Sequence, residues 1–433
     1  MSTRALTACL AGGVLLAASL SFAREKTDPP SYGDLELMAE IMTIVDTEYV
    51  EPVESTELIE GALAGALGRL DPHSGYVPPV TFTEQQKAAR REYGGLGIEV
   101  SMESGLVRVN YALEDGPAYA AGIRSGDFIT AVEGESVVGK DLDSAVKGMR
   151  GLAGDPVTVT VISGDQTSRE VTVVRQQVRG RAVRHRVEQG LGYVFIDTFN
   201  NEKLTDDLTK ALAALENELG GTLPGLIIDL RGNRGGLLTQ SVSTSSLFLD
   251  GGEILSVRGR VDEETERYHA EEGELYPGVP IVVLMSPGSA SAAEILAGAL
   301  QDRGRAVVIG RRSFGKGSVQ SVIPLPGNKG ALRMTTQKYY TPSGKSIQGR
   351  GIMPDLLVAA VEDSGKLRRR FREDSLPNSL INDDTSDYEE RYEDVLYPDD
   401  GVPDDVDYQL RKAVEVLKTS QYQALLDAQS DLD

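Results

Sequence analysis

Ser286-Pro287-Gly288-Ser289-Ala290-Ser291-Ala292-Ala293-Glu294-Ile295-Leu296-Ala297-Gly298-Ala299-Leu300 follows the apolar run Ile281 to Leu284. The run reads as a strand, the small residues as a tight turn, and the remainder, rich in Ala, Glu and Leu, as a helix. A strand that turns sharply into a helix exposes a small side chain at the turn and points unpaired N–H groups outward at the helix start. A serine nucleophile with an oxyanion hole requires that geometry. The same residues also make an ordinary Ser-rich helix N-cap, so the rest of the chain has to decide.

Around this stretch strand and helix alternate. Leu191 to Phe199 reads as a strand, Leu204 to Leu219 as a helix and Gly225 to Leu230 as a buried strand. Leu237 to Leu249 reads as a helix, Val279 to Met285 as a strand, Ala292 to Gln301 as a helix and Arg305 to Ile309 as a strand. Such alternation predicts a largely parallel sheet covered by helices, with sites at the C-terminal ends of its strands. Asp229-Leu230-Arg231-Gly232-Asn233-Arg234-Gly235-Gly236 and the opening stretch both fall there.

Upstream, Tyr93 to about Gln176 carries short strand-like runs separated by Gly and Asp turns, with helical pieces at Pro117 to Gly122 and Leu142 to Met149. This is the pattern of a small, mostly β module. Gly94-Gly95-Leu96-Gly97-Ile98 opens one strand with successive flexible residues. Their amides can point one way and hold a carboxylate, and the strand edge beside them can pair with an extended peptide. A plain turn is the alternative for these residues taken alone. Two amphipathic helices, Tyr32 to Val50 and Glu57 to Leu70, come first, and Asp71-Pro72 stops the second. His73 follows in the turn and reads as polar surface.

The chain of 433 residues has room for two to four domains, and its formal net charge of −22 argues against nucleic acid or an anionic membrane as a partner. Arg4, the apolar Leu6 to Leu20 and Ser21-Phe22-Ala23 read as an export signal rather than a membrane anchor. The only cysteine, Cys9, lies inside it, so the mature chain would have no thiol for disulfides, catalysis or zinc. From Val361 onward 20 acidic and 9 basic residues carry half the net charge. The middle of that extension reads as a solvated linker, and Tyr408 to Leu417 as a docking helix.

His73, His185 and His269 are the only histidines, and none sits in a segment with active-site character. The base available to a serine is therefore a lysine. Ser313-Phe314-Gly315-Lys316-Gly317-Ser318-Val319-Gln320 follows the strand ending at Ile309. A lysine amine is protonated at neutral pH, but desolvation lowers its pKa by several units, after which a Ser/Lys pair works as Ser/His does. Gly310 to Lys316 also approaches a phosphate-binding loop. Gly317 stands where Ser or Thr should hold Mg²⁺, however, and Pro324 and Pro326 preclude the helix such a loop needs.

Gly95-Leu96-Gly97-Ile98, Gly116-Pro117-Ala118 and Ala121-Gly122-Ile123-Arg124-Ser125-Gly126-Asp127-Phe128-Ile129 together resemble a PDZ domain of bacterial proteases. Gly288 to Glu294, Phe314 to Gln320 and Tyr339 to Asp355 resemble the carboxyl-terminal processing proteases, the tail-specific family of PDZ-containing serine peptidases. Leu70-Asp71-Pro72-His73-Ser74 and Asp229 to Asn233 match it too, in the family's order. The resemblance implies an α/β core with an inserted mostly-β PDZ domain and helical terminal segments. Its boundaries here are a signal peptide at 1–23, an N-terminal helical region at 24–92, PDZ at 93–176, the peptidase core at 177–362 and the acidic extension at 363–433. It implies Ser291 as nucleophile, ahead of its rival Ser289, with Lys316 as general base and Gln320 orienting the lysine. It further implies the N–H groups of Gly236 and Ala292 as oxyanion donors, and Gly95, Leu96, Gly97 and Ile98 as the binding strand for a peptide C-terminus. No cofactor or metal is implied. Protein substrates with accessible C-termini are the partners, and the terminal helices could build a homodimer. A non-catalytic PDZ scaffold on the same fold is the alternative. Ala293 departs from the serine that many relatives carry there.

Overall fold

The structure is a computed structural model and describes residues 32–89, 93–113, 116–163, 167–176, 182–261, 264–359, 372–382, 395–398 and 406–430. The segment read as an export signal, with Cys9, and most of the segment read as an acidic linker lie outside the described residues. The chain divides into two compact units, one ending at Gly61 and the other beginning at Ala62. In the first, α1 (Tyr32–Glu48) leaves its apolar residues Leu35, Ile41 and Ile44 exposed. Helix α2 (Ser55–Leu67) crosses the division. No described helix is long and apolar enough to cross a membrane.

The second unit starts with β1 (Gly75–Val77) and α3 (Pro79–Ala89). The β module follows with β2 (Tyr93–Gly94), β3 (Ile98–Glu103), β4 (Leu106–Ala112), α4 (Pro117–Ala120), β5 (Phe128–Val132), β6 (Glu135–Ser136), α5 (Leu142–Met149), β7 (Gly151–Leu152), β8 (Pro156–Ile162) and β9 (Ser168–Val174). Its main sheet runs β3-β4-β5-β8-β9, so β3 lies at an edge. Alternation buries Val157, Val159 and Val161 of β8 and Val171 and Val173 of β9 in the module's own core.

The core sheet has the order β10-β11-β12-β15-β16-β19. Its strands are β10 (Val183–Glu188), β11 (Leu191–Ile196), β12 (Leu226–Asp229), β15 (Ile281–Met285), β16 (Val307–Gly310) and β19 (Leu356–Leu357). All pairs are parallel except β10–β11. Strands β12, β15 and β16 are buried end to end, as a sheet covered on both faces requires. Helices α6 (Leu204–Glu218), α7 (Leu238–Ser246) and α8 (Ala292–Asp302) share one core with this sheet. The C-terminal α9 (Tyr408–Leu417) joins a second core with Tyr193, Ile227 and Val282, and α10 (Gln421–Ser430) packs at its margin.

A second sheet has no counterpart in the sequence reading. Antiparallel strands run β1-β18-β13-β14, with β17 also on β18; these are β13 (Glu253–Arg258), β14 (Glu266–His269), β17 (Ser318–Pro324) and β18 (Ala331–Tyr340). Strand β17 begins two residues after Lys316, so a strand rather than a phosphate-loop helix follows that lysine.

Candidate active site

Ser291 caps α8 with φ 57° and ψ −117°, a left-handed backbone conformation unusual for a residue with a Cβ. Such strain costs about 1–3 kcal/mol and persists only when the surroundings hold it. The holding group is Glu294, fully buried in the first turn of α8. Its Oε2 accepts the N–H of Ser291 (2.7 Å) and of Lys316 (3.0 Å); its Oε1 accepts Ser313 Oγ (2.5 Å) and the N–H of Gly315 (2.6 Å). One carboxylate thereby joins the backbone of the candidate nucleophile to that of the candidate base. Burial pushes the Glu294 carboxyl up to about 7, although four donors pull the other way.

The two serines of the turn have different surroundings. Ser289 is fully buried; its hydroxyl donates to Leu230 O (2.8 Å) and accepts from the Ser286 N–H (3.0 Å). It braces the turn against the loop after β12. Ser291 is partly exposed.

That neighbouring loop is fixed by Asn233, whose side chain is completely buried. It donates to Ile196 O (2.7 Å) and accepts the Gly235 N–H (2.8 Å), while Asn233 O takes the Ala290 N–H (2.9 Å). Gly235 then passes so close to the turn that a Cβ on it would lie 2.9 Å from Ser291 Cβ and from Ala292 N. Gly236, at φ 150°, has Asn200 N 2.2 Å from where a Cβ would be. Only glycine fits at either position. Among the described residues, neither the Gly236 N–H nor the Ala292 N–H donates to an acceptor.

Lys316 is partly buried. Desolvation lowers its pKa; the carboxylates of Glu373, Asp71 and Glu294 oppose that effect, and Arg333 adds to it. Gln320 on β17 donates through Nε2 to Ser318 Oγ (2.9 Å) and Thr335 Oγ1 (3.1 Å). Thr335 Oγ1 in turn donates to Asp71 Oδ1 (3.1 Å), which also accepts the N–H groups of His73 and Ser74. Burial works against the Asp71 anion, but Ser74, His73 and Thr335 hold its carboxyl below the usual range.

Residues 190–358 match Peptidase family S41 and residues 108–163 match a PDZ domain. A carboxy-terminal-processing protease of Bartonella bacilliformis is 44% identical over 352 residues, covering 80% of this chain and 81% of the relative. The chain belongs to the carboxy-terminal-processing proteases of peptidase family S41. The carboxy-terminal processing protease CtpB of Bacillus subtilis is 34% identical over 73% of this chain and 66% of that relative. Among solved structures, the photosystem II D1 C-terminal processing protease matches at 27% identity and TM-score 0.45, covering 80% of this chain and 99% of that one.

Within this serine peptidase, the PDZ residues Gly95 to Ile98 lie at the entry to edge strand β3. Leu96 O accepts the Ala118 N–H (2.9 Å) and Gly97 O the Leu113 N–H (2.8 Å). Among the described residues, no acceptor takes the N–H of Leu96 or Gly97. Ile98 and Val100 of β3, with Leu142 and Val146 of α5, form a partly buried apolar border to the module's core.

Two participants escaped the sequence reading. Glu294 was part of a quoted motif with no role assigned, although a serine three residues before a glutamate is a capping-box spacing. His73 is not free polar surface: its Nε2 lies 2.9 Å from both carboxylate oxygens of Glu373. His185 and His269 are exposed.

Proposed function

We propose that the peptidase cleaves by nucleophilic catalysis at Ser291 with Lys316 as general base. Ser291 Oγ attacks the peptide carbonyl carbon while Lys316 Nζ takes the hydroxyl proton. The N–H groups of Gly236 and Ala292 stabilise the oxyanion, and Lys316 returns the proton to the leaving amine. Water then releases the acyl-enzyme. Gln320, with Nε2 engaged, offers only Oε1 to the amine. The observation that carries this reading is the strained Ser291 cap, tied through one buried carboxylate to the backbone of Lys316.

The PDZ strand holds the substrate's C-terminus. The unsatisfied amides of Leu96 and Gly97 receive the carboxylate, and the chain is extended along β3 by strand addition. Substrates are proteins with accessible C-termini. The first 23 residues direct export, to the periplasm or the cell envelope, and the terminal helices pair two copies.

The test is incubation of purified enzyme with an unstructured protein. Ser291→Ala and Lys316→Ala should each abolish fragment production; parental cleavage by either variant would remove the dyad. N-terminal sequencing of protein recovered from the periplasmic fraction should begin near Arg24, whereas retention of Met1 in the cytosol would remove the export assignment. Sedimentation of the chain with and without residues 24–92 checks the pairing; the same number of copies per particle in both would refute it.

A further inference from the structure

The described part of the acidic extension includes Arg372 to Asn382, and these residues do not behave as a linker. Asn378 Nδ2 donates to Gly68 O (2.8 Å), Asn382 Nδ2 to Gln348 O (2.8 Å), and Lys338 Nζ to Ile381 O (3.2 Å). The segment is strapped across the loop that carries Lys316, and at its start a short 3-10 turn buries Glu373 completely.

Glu373 grips that loop on both sides of the lysine. Its N–H donates to Phe314 O (3.0 Å), two residues before Lys316. Its Oε1 accepts Gln348 Nε2 (3.1 Å), and Gln348 Oε1 accepts the N–H of Gly317 (3.1 Å), the residue immediately after Lys316. His73 Nε2 donates to the same carboxylate from the loop after α2. Among the described residues its side-chain donors are Gln348 and His73, and a carboxylate shielded from water acts on a charged group near it through a low local dielectric.

We propose that Glu373 is a positioning residue for Lys316: through Phe314 and Gln348 it holds the loop that bears the amine from both sides, and its carboxylate lets the C-terminal extension bias the pH at which the lysine becomes neutral. The charged groups facing Lys316 are Glu373 from the 3-10 turn, Arg333 from β18, Asp71 from the loop after α2 and Glu294 from α8. A carboxylate stabilises the ammonium form. Glu373 therefore holds the proton on Lys316 to higher pH than burial alone would, and its removal lets the amine act in more acidic solution. The functional consequence rests on Lys316 being the base; the electrostatic one does not.

Competitive acetylation of the full chain with trace acetic anhydride, read by mass spectrometry at Lys316 across pH 6–11, follows the amine directly. In Glu373→Gln the midpoint should fall by about one pH unit; an unmoved midpoint overturns the electrostatic role. Glu373→Asp keeps the charge but withdraws it by one methylene from Gln348 and His73. Its midpoint should stay within about half a unit, while kcat on an unstructured protein falls about tenfold; parental kcat overturns the positioning role. Should Glu373→Gln lose its cooperative thermal transition, Glu373→Ala replaces it in the acetylation measurement with the same expected fall and the same overturning result, and the Asp variant decides the positioning role. Cleavage by Lys316→Ala at the parental rate would remove the base assignment and leave the acetylation result standing, so the two failures are distinguishable.

Discussion

Glu294 accepts the backbone N–H of Ser291 at 2.7 Å, from a side chain three positions further along α8 that is wholly buried. A helix-cap bond thereby fixes the left-handed conformation that presents the serine. The second bond of Oε2, to the Lys316 N–H, extends the constraint to a segment 22 residues later.

Replacing this carboxylate by its neutral isostere tests that coupling. A Gln at 294 must point its amide group at one or two backbone N–H donors and so cannot accept all four bonds. Glu294→Gln should lower kcat by about 10²-fold, the usual cost of misplacing reacting groups by about 1 Å. The sign with pH follows from a carboxyl pushed up to about 7. Above that value the parent is ionised and the difference is full; below it the parent takes up a proton and the difference narrows. A gap constant from pH 6 to 9 would contradict the assignment.

The oxyanion loop offers a steric test. A Cβ at Gly236 would stand 2.2 Å from Asn200 N and 2.3 Å from Phe199 C, both backbone atoms that no rotamer change can move aside. Gly236→Ala should cost about 1–3 kcal/mol in stability, as overpacking does, and abolish phosphonylation of Ser291 by a fluorophosphonate, in which the serine oxygen displaces fluoride. Labelling at the parental rate would show that the Gly236 amide takes no part.

The proposed recognition of a carboxylate by the PDZ strand can be tested separately from bond cleavage. Amidating a substrate peptide's C-terminus removes the charge meant for the Leu96 and Gly97 amides. KM should rise about tenfold or more, by analogy with a lost charge-assisted hydrogen bond, while fluorophosphonate labelling is unaffected. Equal KM for acid and amide would exclude capture of the C-terminal carboxylate.

Docking of α9 supplies a prediction about stability. Asp407 caps the helix through the Leu410 N–H (3.0 Å) and bridges to Arg231 at 2.7 Å. Burial disfavours its anion, but Arg231 and the Leu410 amide keep the carboxyl below its ordinary value. A depressed native pKa contributes stability at neutral pH that is lost as pH falls through it. The pair is partly exposed, so screening limits it to under about 1 kcal/mol, and the cap adds about 1 kcal/mol. Asp407→Ala should melt below the parent at pH 7, with the gap closing toward pH 3.

The core sheet and the PDZ module were legible because their strands are apolar runs or strict alternations bounded by glycine. Helix α5 and α9 fell where the periodicity placed them. The second sheet was not legible: β18 reads Ala-Leu-Arg-Met-Thr-Thr-Gln-Lys-Tyr-Tyr, and most of it is only partly buried, so neither face carries an apolar pattern. Ser291 and Lys316 were singled out through motif and chemistry together, and the structure ties their backbones to one carboxylate. Glu373 had no local signal, because its importance comes only from where the extension returns to in three dimensions. His73 was underestimated for the same reason, its partner lying far along the chain.

His73 and Glu373 are 300 positions apart in sequence. Antiparallel pairing of Gly75 with Arg333 already brings the loop after α2 against β18, so the contact is distant in sequence and local in the fold. A chain cut before Arg372 would keep every strand of the two core sheets and still lose the acceptor that His73 and Gln348 share.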